Sequence, residues 1–199
     1  MKRNAPARLF DTTVGFDDPL EMLLACHRRI EKQLDTLKRL RAHLSARGVD
    51  AEASSAAQAL LRYFGHAAMS HHDDEEKDLF PLLEQRITGA GEQARFRLLR
   101  DGLERDHREV QARWLMLRKP LEGIADGLTR VLPANAVHDF VGAYARHILV
   151  EESALRELFN RWLDADDRKA LGRAMSARRT AGGMVGVRGF EPPASTSRT

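Results

Sequence analysis

A short motif, His-x-x-x-Glu-Glu, occurs twice in this sequence and constrains its fold more than any other feature. It begins at His71 in the run HHDDEEKDLF and at His147 in the run HILVEESALRELF. In each copy the histidine and the first glutamate are four residues apart, so on an α-helix they lie on one face, one turn apart. An imidazole and a carboxylate placed in this way can reach one metal ion. Two such pairs that face each other can hold two ions.

Two single histidines make each copy of the motif part of a larger repeat. His27 lies 44 residues before His71, and His107 lies 40 residues before His147. The chain therefore looks like two related halves, each with one helix that carries a histidine and a second helix that carries His-x-x-x-Glu. The candidate metal ligands are His27, His71, Glu75, His107, His147 and Glu151.

Apolar residues recur at helical spacing throughout and predict four helices without a convincing strand. The first helix begins near Pro19 and ends near Gly48, and the second begins near Asp50 and is kinked or ended by Pro81. The third follows the loop at residues 88–91.

Proline sets the remaining predicted boundaries. Pro120 ends the third helix, residues 121–132 form at most a further short helical turn, and the fourth helix follows Pro133. The predicted fold is an all-α, antiparallel up-down four-helix bundle.

The candidate ligands lie on the apolar stripes of the predicted helices and at matching heights. His27 lies 21 residues before Gly48, and His71 lies 21 residues after Asp50. In an up-down bundle all six groups would therefore converge near one level. Because an unpaired buried charge costs several kcal/mol, this level needs a compensating partner such as a metal ion.

Several neighbouring side chains stay open as further ligands or hydrogen-bond partners. We assign His71 rather than His72 to the metal, because His71 continues the core stripe and matches His147. His72 and Glu76 are also four residues apart, about 100° further around the helix. Glu76 and Glu152 are either acceptors behind the ligands or solvated surface residues. Glu104 stays open as an extra ligand, and Tyr144 stays open as a hydrogen-bond partner of the site.

Composition and charge limit the class of protein. Residues 168–199 hold seven Arg or Lys and one acid, which leaves 25 basic and 28 acidic residues in 1–167. A mildly acidic body argues against nucleic-acid binding. The sequence has no apolar run long enough for a membrane span and no signal region, which predicts a cytoplasmic protein. The single cysteine, Cys26, allows no internal disulfide.

Three segments follow from this pattern. Residues 1–16 are an N-terminal extension and residues 17–165 are the bundle. Residues 166–199 are a basic, mostly disordered tail. Residues 180–199 are rich in Gly, Pro, Ser and Thr and have no helical period, so a chain that ends near Ala177 is expected to keep its fold.

The run HHDDEEKDLFP, together with His27, His107 and HILVEE, resembles the hemerythrin-type His-His-Glu (HHE) cation-binding domain over about residues 17–165. The resemblance implies two non-haem iron ions bridged by the carboxylates of Glu75 and Glu151. Two glutamates offset only half the charge of two ferrous ions, so an oxo or hydroxo bridge is expected as well. Oxygen-carrying hemerythrins have a further histidine near His107, whereas here Leu103 and Gln111 lie four residues away.

Three functions remain open at this level. The first is a di-iron module that binds or senses O2 or NO. The second is an enzyme that uses the same centre for NO reduction, peroxide chemistry or iron-centre repair. The third is a module that stores or donates iron. No separate substrate pocket, nucleophile or cofactor loop is visible, which argues against a committed enzyme, and the single bundle argues against an autonomous sensor without a partner. The sequence therefore does not rank the three functions firmly.

Overall fold

The structure, a computed structural model, describes residues 18–181, and all regular secondary structure in that range is helical. The helices are α1 (Pro19–Arg47), α2 (residues 51–86), α3 (Ala90–Ala125), α4 (Ala134–Trp162) and α5 (Ala165–Ala181). The predicted N-terminal extension and the part of the predicted tail from residue 182 onwards lie outside the described residues.

Local sequence signals fix the first reversal of the chain. The carboxylate of Asp18 accepts a hydrogen bond from a backbone N–H of the first turn at 3.1 Å, and Pro19 takes a position where its missing N–H costs nothing. Gly48 ends α1 with a φ of 79°, which a residue with a side chain rarely adopts. Asp50 then caps α2. Because only three residues connect the two helices, α1 and α2 are antiparallel.

Helix α2 changes its winding twice, on either side of the doubled histidine. Its α-helical stretches are Ala51–Arg62, Ala68–Asp74 and Phe80–Arg86, and they are joined by the π-helical segments Tyr63–Ala67 and Glu75–Leu79. A π-helical turn takes up an extra residue, so the side chains beyond it shift around the helix axis. Pro81 follows the second such turn, which accommodates a residue that cannot donate a backbone N–H.

Pro120 does not end α3, in contrast to the expectation from the sequence. The helix continues through it to Ala125. Proline inside a helix costs about 3 kcal/mol. Leu121 and Ile124 lie beyond it and are fully buried, and each such burial contributes about 1.5–3 kcal/mol. The burial of Leu121 and Ile124 together therefore offsets the free-energy cost of Pro120 in the helix.

Residues 165–181, which composition assigns almost entirely to the tail, form α5. Leu171 and Met175 of this helix are buried against the bundle. Near its start, Asp167 accepts two hydrogen bonds from the guanidinium of Arg86 on α2, at 2.7 and 2.8 Å. The folded part of the chain therefore extends beyond the predicted boundary at residue 165.

Helices α1 to α4 form an antiparallel up-down four-helix bundle, and the predicted fold class is confirmed. Each helix packs against the next one along the chain, α4 packs against α1, and α5 lies against α1 and α2. None of the helices in residues 18–181 is long and apolar enough to cross a membrane.

Two apolar cores fill the two ends of the bundle. One contains Leu37, Leu60 and Trp114, and the other contains Leu83 and Phe159. On every one of the four helices, the stretch between these cores carries ionisable side chains that point inward. The bundle thus buries a polar layer at mid-height, where packing alone favours apolar residues.

Candidate metal centre

The polar layer contains all six residues predicted from the sequence as metal ligands. Each of the four bundle helices contributes at least one of them, as the repeat predicts. Their exposed fractions are 4% or lower, and His72, at 4%, is a seventh member of the layer. The seven residues are His27 on α1, His71, His72 and Glu75 on α2, His107 on α3, and His147 and Glu151 on α4.

These side chains divide into two groups, each small enough to surround one ion. The donor atoms within each group lie within 4.8 Å of one another. One group combines two imidazoles with both carboxylates, and the other consists of three imidazoles. The groups are His27, His71, Glu75 and Glu151, and His72, His107 and His147.

The two carboxylates lie between imidazoles of both groups. Glu151 Oε2 is 3.2 Å from His27 Nε2 and 3.2 Å from His147 Nε2. Glu75 Oε1 is 3.1 Å from His71 Nδ1, and its other oxygen is 3.2 Å from His107 Nε2. Each carboxylate therefore touches one imidazole of each group, which is the placement that a bridging ligand requires.

Despite these short distances, the inward-facing atoms lack hydrogen-bond partners. Eleven buried nitrogen and oxygen atoms in the layer have none, including both oxygens of Glu75 and of Glu151. A buried polar atom without a partner costs about 1–3 kcal/mol, and more when it is charged. Neutral imidazole nitrogens and carboxylate oxygens that converge in this way fit transition-metal ions such as iron, manganese or zinc.

The second glutamate of each motif contacts a histidine on a neighbouring helix. Glu76 Oε1 is 2.6 Å from His107 Nδ1, and Glu152 Oε1 is 2.9 Å from His27 Nδ1. Both glutamate side chains are 39% exposed, so they reach the buried layer from the surface. Of the two readings left open by the sequence, the geometry favours hydrogen-bond partners behind the ligands.

His72 joins the layer although a regular helix would place it 100° away from His71. Its ring stacks on that of His107, with centroids 3.9 Å apart and planes 10° apart, and its Nε2 has no hydrogen-bond partner. The π-helical segments Tyr63–Ala67 and Glu75–Leu79 flank this position, so a constant angle per residue misjudges which side chains face inward. The adjacent pair His71 and His72 was the feature of the sequence that pointed to a role for His72.

Burial and the contacts between imidazoles and carboxylates together set the pKa values in the layer. It lowers the pKa of His71 and of His72 well below the ordinary value, so both imidazoles are in the neutral, metal-binding form. Burial and the charge of Glu151 raise the pKa of Glu75 well above its ordinary value. Burial alone would also raise the pKa of Glu151, but His147 and a second imidazole hold it well below.

The remaining open residues take other positions. Tyr144 is buried with its ring 6.2 Å from that of His72, beside the layer. Glu104 lies close to Arg100 and Arg108 on its own helix and does not face the centre. His66 and His138 are exposed. Among the remaining histidines, His43 contacts Asp50 at 2.9 Å, far along α1 from His27.

A buried ion-pair cluster lies directly behind the layer, and sequence reasoning did not find it. Asp74 precedes Glu75, is fully buried, and accepts hydrogen bonds from Arg178 Nε at 3.1 Å and Arg179 Nη2 at 2.6 Å. Arg178 also pairs with Asp78. Burial raises the pKa of Asp74, against the opposing effect of the two guanidinium groups. The arginines lie more than 100 residues away in a segment assigned to the tail.

The chain matches the family model described as the hemerythrin HHE cation binding domain over residues 18–173. It belongs to the hemerythrin HHE family. This hemerythrin-family chain is also 32% identical to an uncharacterised protein of Haemophilus influenzae over 164 residues, which cover 82% of this chain and 91% of that protein. The region matched by the family model, residues 18–173, contains all seven residues of the polar layer and the start of α5.

Proposed function

We propose that this protein binds two non-haem iron ions in the polar layer and uses them to bind or sense O2 or NO. The proposed ligands are His27, His71, Glu75, His107, His147 and Glu151, with His72 added from its position. The eleven buried nitrogen and oxygen atoms without hydrogen-bond partners carry the proposal. A compensating partner at this level would stabilise a fold that buries so many polar atoms there.

The two groups offer different numbers of donors. The group around His27 has two imidazoles, and the group around His107 has three, while both contact the carboxylates of Glu75 and Glu151. We infer that the residues around His27, with fewer imidazoles, would leave room for an exogenous small molecule beside the ion that they would hold. Iron with an oxo or hydroxo bridge would supply reversible electron transfer with such a molecule. The side chains hold the ions, balance their charge and keep bulk water out.

The surroundings of the layer favour a very small ligand. Apolar cores cover it at both ends, and none of its members is more than 4% exposed. Four surface clefts of the described region are lined by other residues. A diatomic molecule can reach such a layer through small fluctuations of the side chains, whereas a larger substrate needs an open pocket.

Anaerobic loading with ferrous iron tests the proposal. We expect about two iron ions per chain by elemental analysis, as two donor groups require, and optical changes on adding O2 and then NO. Glu75→Ala should lose most of the iron, because Glu75 contacts both groups. His66→Ala is the matched control, an exposed histidine on the same helix.

The outcomes separate the candidate functions. A folded wild-type protein that holds no iron would contradict the proposal. Reversible optical changes without consumption of the added gas favour binding or sensing. Product release over many turnovers would identify the enzymatic alternative, that is NO reduction, peroxide chemistry or iron-centre repair.

A further inference from the structure

We propose that Glu76 and Glu152 are positioning residues, each of which fixes one metal-binding imidazole of the neighbouring helix so that its Nε2 faces the metal. Glu76 on α2 acts on His107 of α3, and Glu152 on α4 acts on His27 of α1. The inference rests on the proposed metal binding and assigns a role to the second glutamate of each motif.

The argument begins with the two nitrogens of each imidazole. His27 Nδ1 is 2.9 Å from Glu152, while His27 Nε2 is 3.2 Å from Glu151 and has no hydrogen-bond partner. A carboxylate accepts but cannot donate, so His27 donates its Nδ1–H to Glu152. In the neutral ring, the lone pair is then on Nε2, which faces the layer. The hydrogen bond thus selects the tautomer and the ring orientation that ligation needs.

The same arrangement recurs at the opposite interface. His107 Nδ1 is 2.6 Å from Glu76, and His107 Nε2 is 3.2 Å from Glu75 and has no partner. In each copy of the motif, therefore, the first glutamate faces the layer, and the second glutamate holds an imidazole that contacts the first. Two independent occurrences of one geometry argue against a chance surface contact.

Exposure explains how these carboxylates can act on buried rings at little cost. Each side chain keeps 39% of its surface in contact with solvent, so it retains part of its hydration and avoids the penalty of full burial. Other half-exposed glutamates of the bundle make a different kind of contact. Glu109, whose side chain is 40% exposed, pairs with Arg113 at 2.6 Å on the surface of α3.

The pairing also predicts which ion each glutamate affects. Glu152 contacts His27, which belongs to the group with two imidazoles, and Glu76 contacts His107, which belongs to the group with three. Loss of Glu152 should therefore weaken the ion beside His27, and loss of Glu76 should weaken the ion beside His107. A purely structural role would lower the stability of the whole bundle without this selectivity.

The experiment compares alanine and glutamine at both positions in the full chain, with Glu109→Ala as the matched control. In Glu76→Ala and Glu152→Ala we expect one of the two ferrous ions to be held about 10- to 100-fold more weakly in competition with a chelator. Glu76→Gln and Glu152→Gln should bind with intermediate affinity, because the amide oxygen still accepts the Nδ1–H but carries no charge. The control should match the wild-type protein.

Imidazole 15N NMR of the metal-free protein, at alkaline pH where the rings are neutral, reads the tautomer directly. The Nδ1–H form of His27 should be lost in Glu152→Ala and kept in Glu152→Gln. Wild-type affinity and wild-type 15N signals in the alanine variants would overturn the inference. If the wild-type chain bound no iron, the proposed function would fail, while the 15N signals would still decide whether the glutamates position the rings.

Discussion

The ring of His72 stacks on that of His107, with centroids 3.9 Å apart, and the ring centroid of His147 is 5.8 Å from that of His72. Its imidazole is neutral, because burial lowers its pKa well below the ordinary value. A neutral, buried imidazole with an unpartnered Nε2 among other donors has the properties of a ligand. The sequence assigned the metal to His71 alone, whereas the structure places both histidines in the layer.

From this position we predict that His72→Ala loses much of the ion held by the second group, because that group keeps only two imidazoles. The iron content after brief exposure to a chelator should fall from about two ions per chain towards one. His66→Ala, on the same helix but exposed, should keep the full content. Retention of both ions by His72→Ala would restore the assignment made from the helical phase.

At the scale of elements, α5 closes the side of the bundle formed by α1 and α2. Asp74 is one of the two charged aspartates buried in the described region, and its partners Arg178 and Arg179 lie in the last turns of α5. Removal of the partners of a buried charge is costly, since the charge stays behind without compensation. The end of α5 therefore matters more than its polar composition indicates.

A chain that ends at Ala177 should consequently be less stable than one that ends at Ala181, by about 3 kcal/mol or more. Denaturant unfolding of the two truncated chains would measure the difference. Asp74→Asn in the shorter chain should restore part of the stability, since it removes the uncompensated charge. Composition alone predicts equal stability for both chains, so equal midpoints would mean that the arginine pair is dispensable.

At the scale of the whole molecule, two apolar cores support a polar layer that has no adequate internal partners. The cores account for the helical bundle, and the layer accounts for the stabilisation that we expect from a bound metal. A metal ion that binds only the folded state raises the stability by about 2.7 kcal/mol when its concentration is roughly 100 times its Kd. The metal-free chain should remain folded, unlike a small domain that depends on its metal for any core.

We therefore predict that iron raises the thermal midpoint by about 5–10 °C without changing the helical content. This range follows from about 2–4 °C per kcal/mol for a chain of this size. Melts followed by circular dichroism, with iron and with a chelator, would measure it. Identical midpoints in samples of verified metal content would mean that the layer is not a buried metal cage.

Much of this architecture is readable from the sequence, because helical spacing is a local property. The positions of His71 and Glu75, four residues apart, place them on one helix face whatever the rest of the chain does. The repeat of the motif predicts that two such faces meet, and the apolar stripes predict a bundle. Pro120 misled the prediction, since the burial of residues beyond it depends on neighbouring helices.

The sequence by itself determined the four-helix fold, the family and six of the seven residues in the polar layer. Only the tertiary structure decided the place of His72, the contacts of Glu76 and Glu152, and the docking of α5. Glu76 and His107 are 31 residues apart, and Glu152 and His27 are 125 apart. The physical reason is that a helical period fixes the face on which a side chain lies, while changes in winding and the packing of distant helices fix what that face meets.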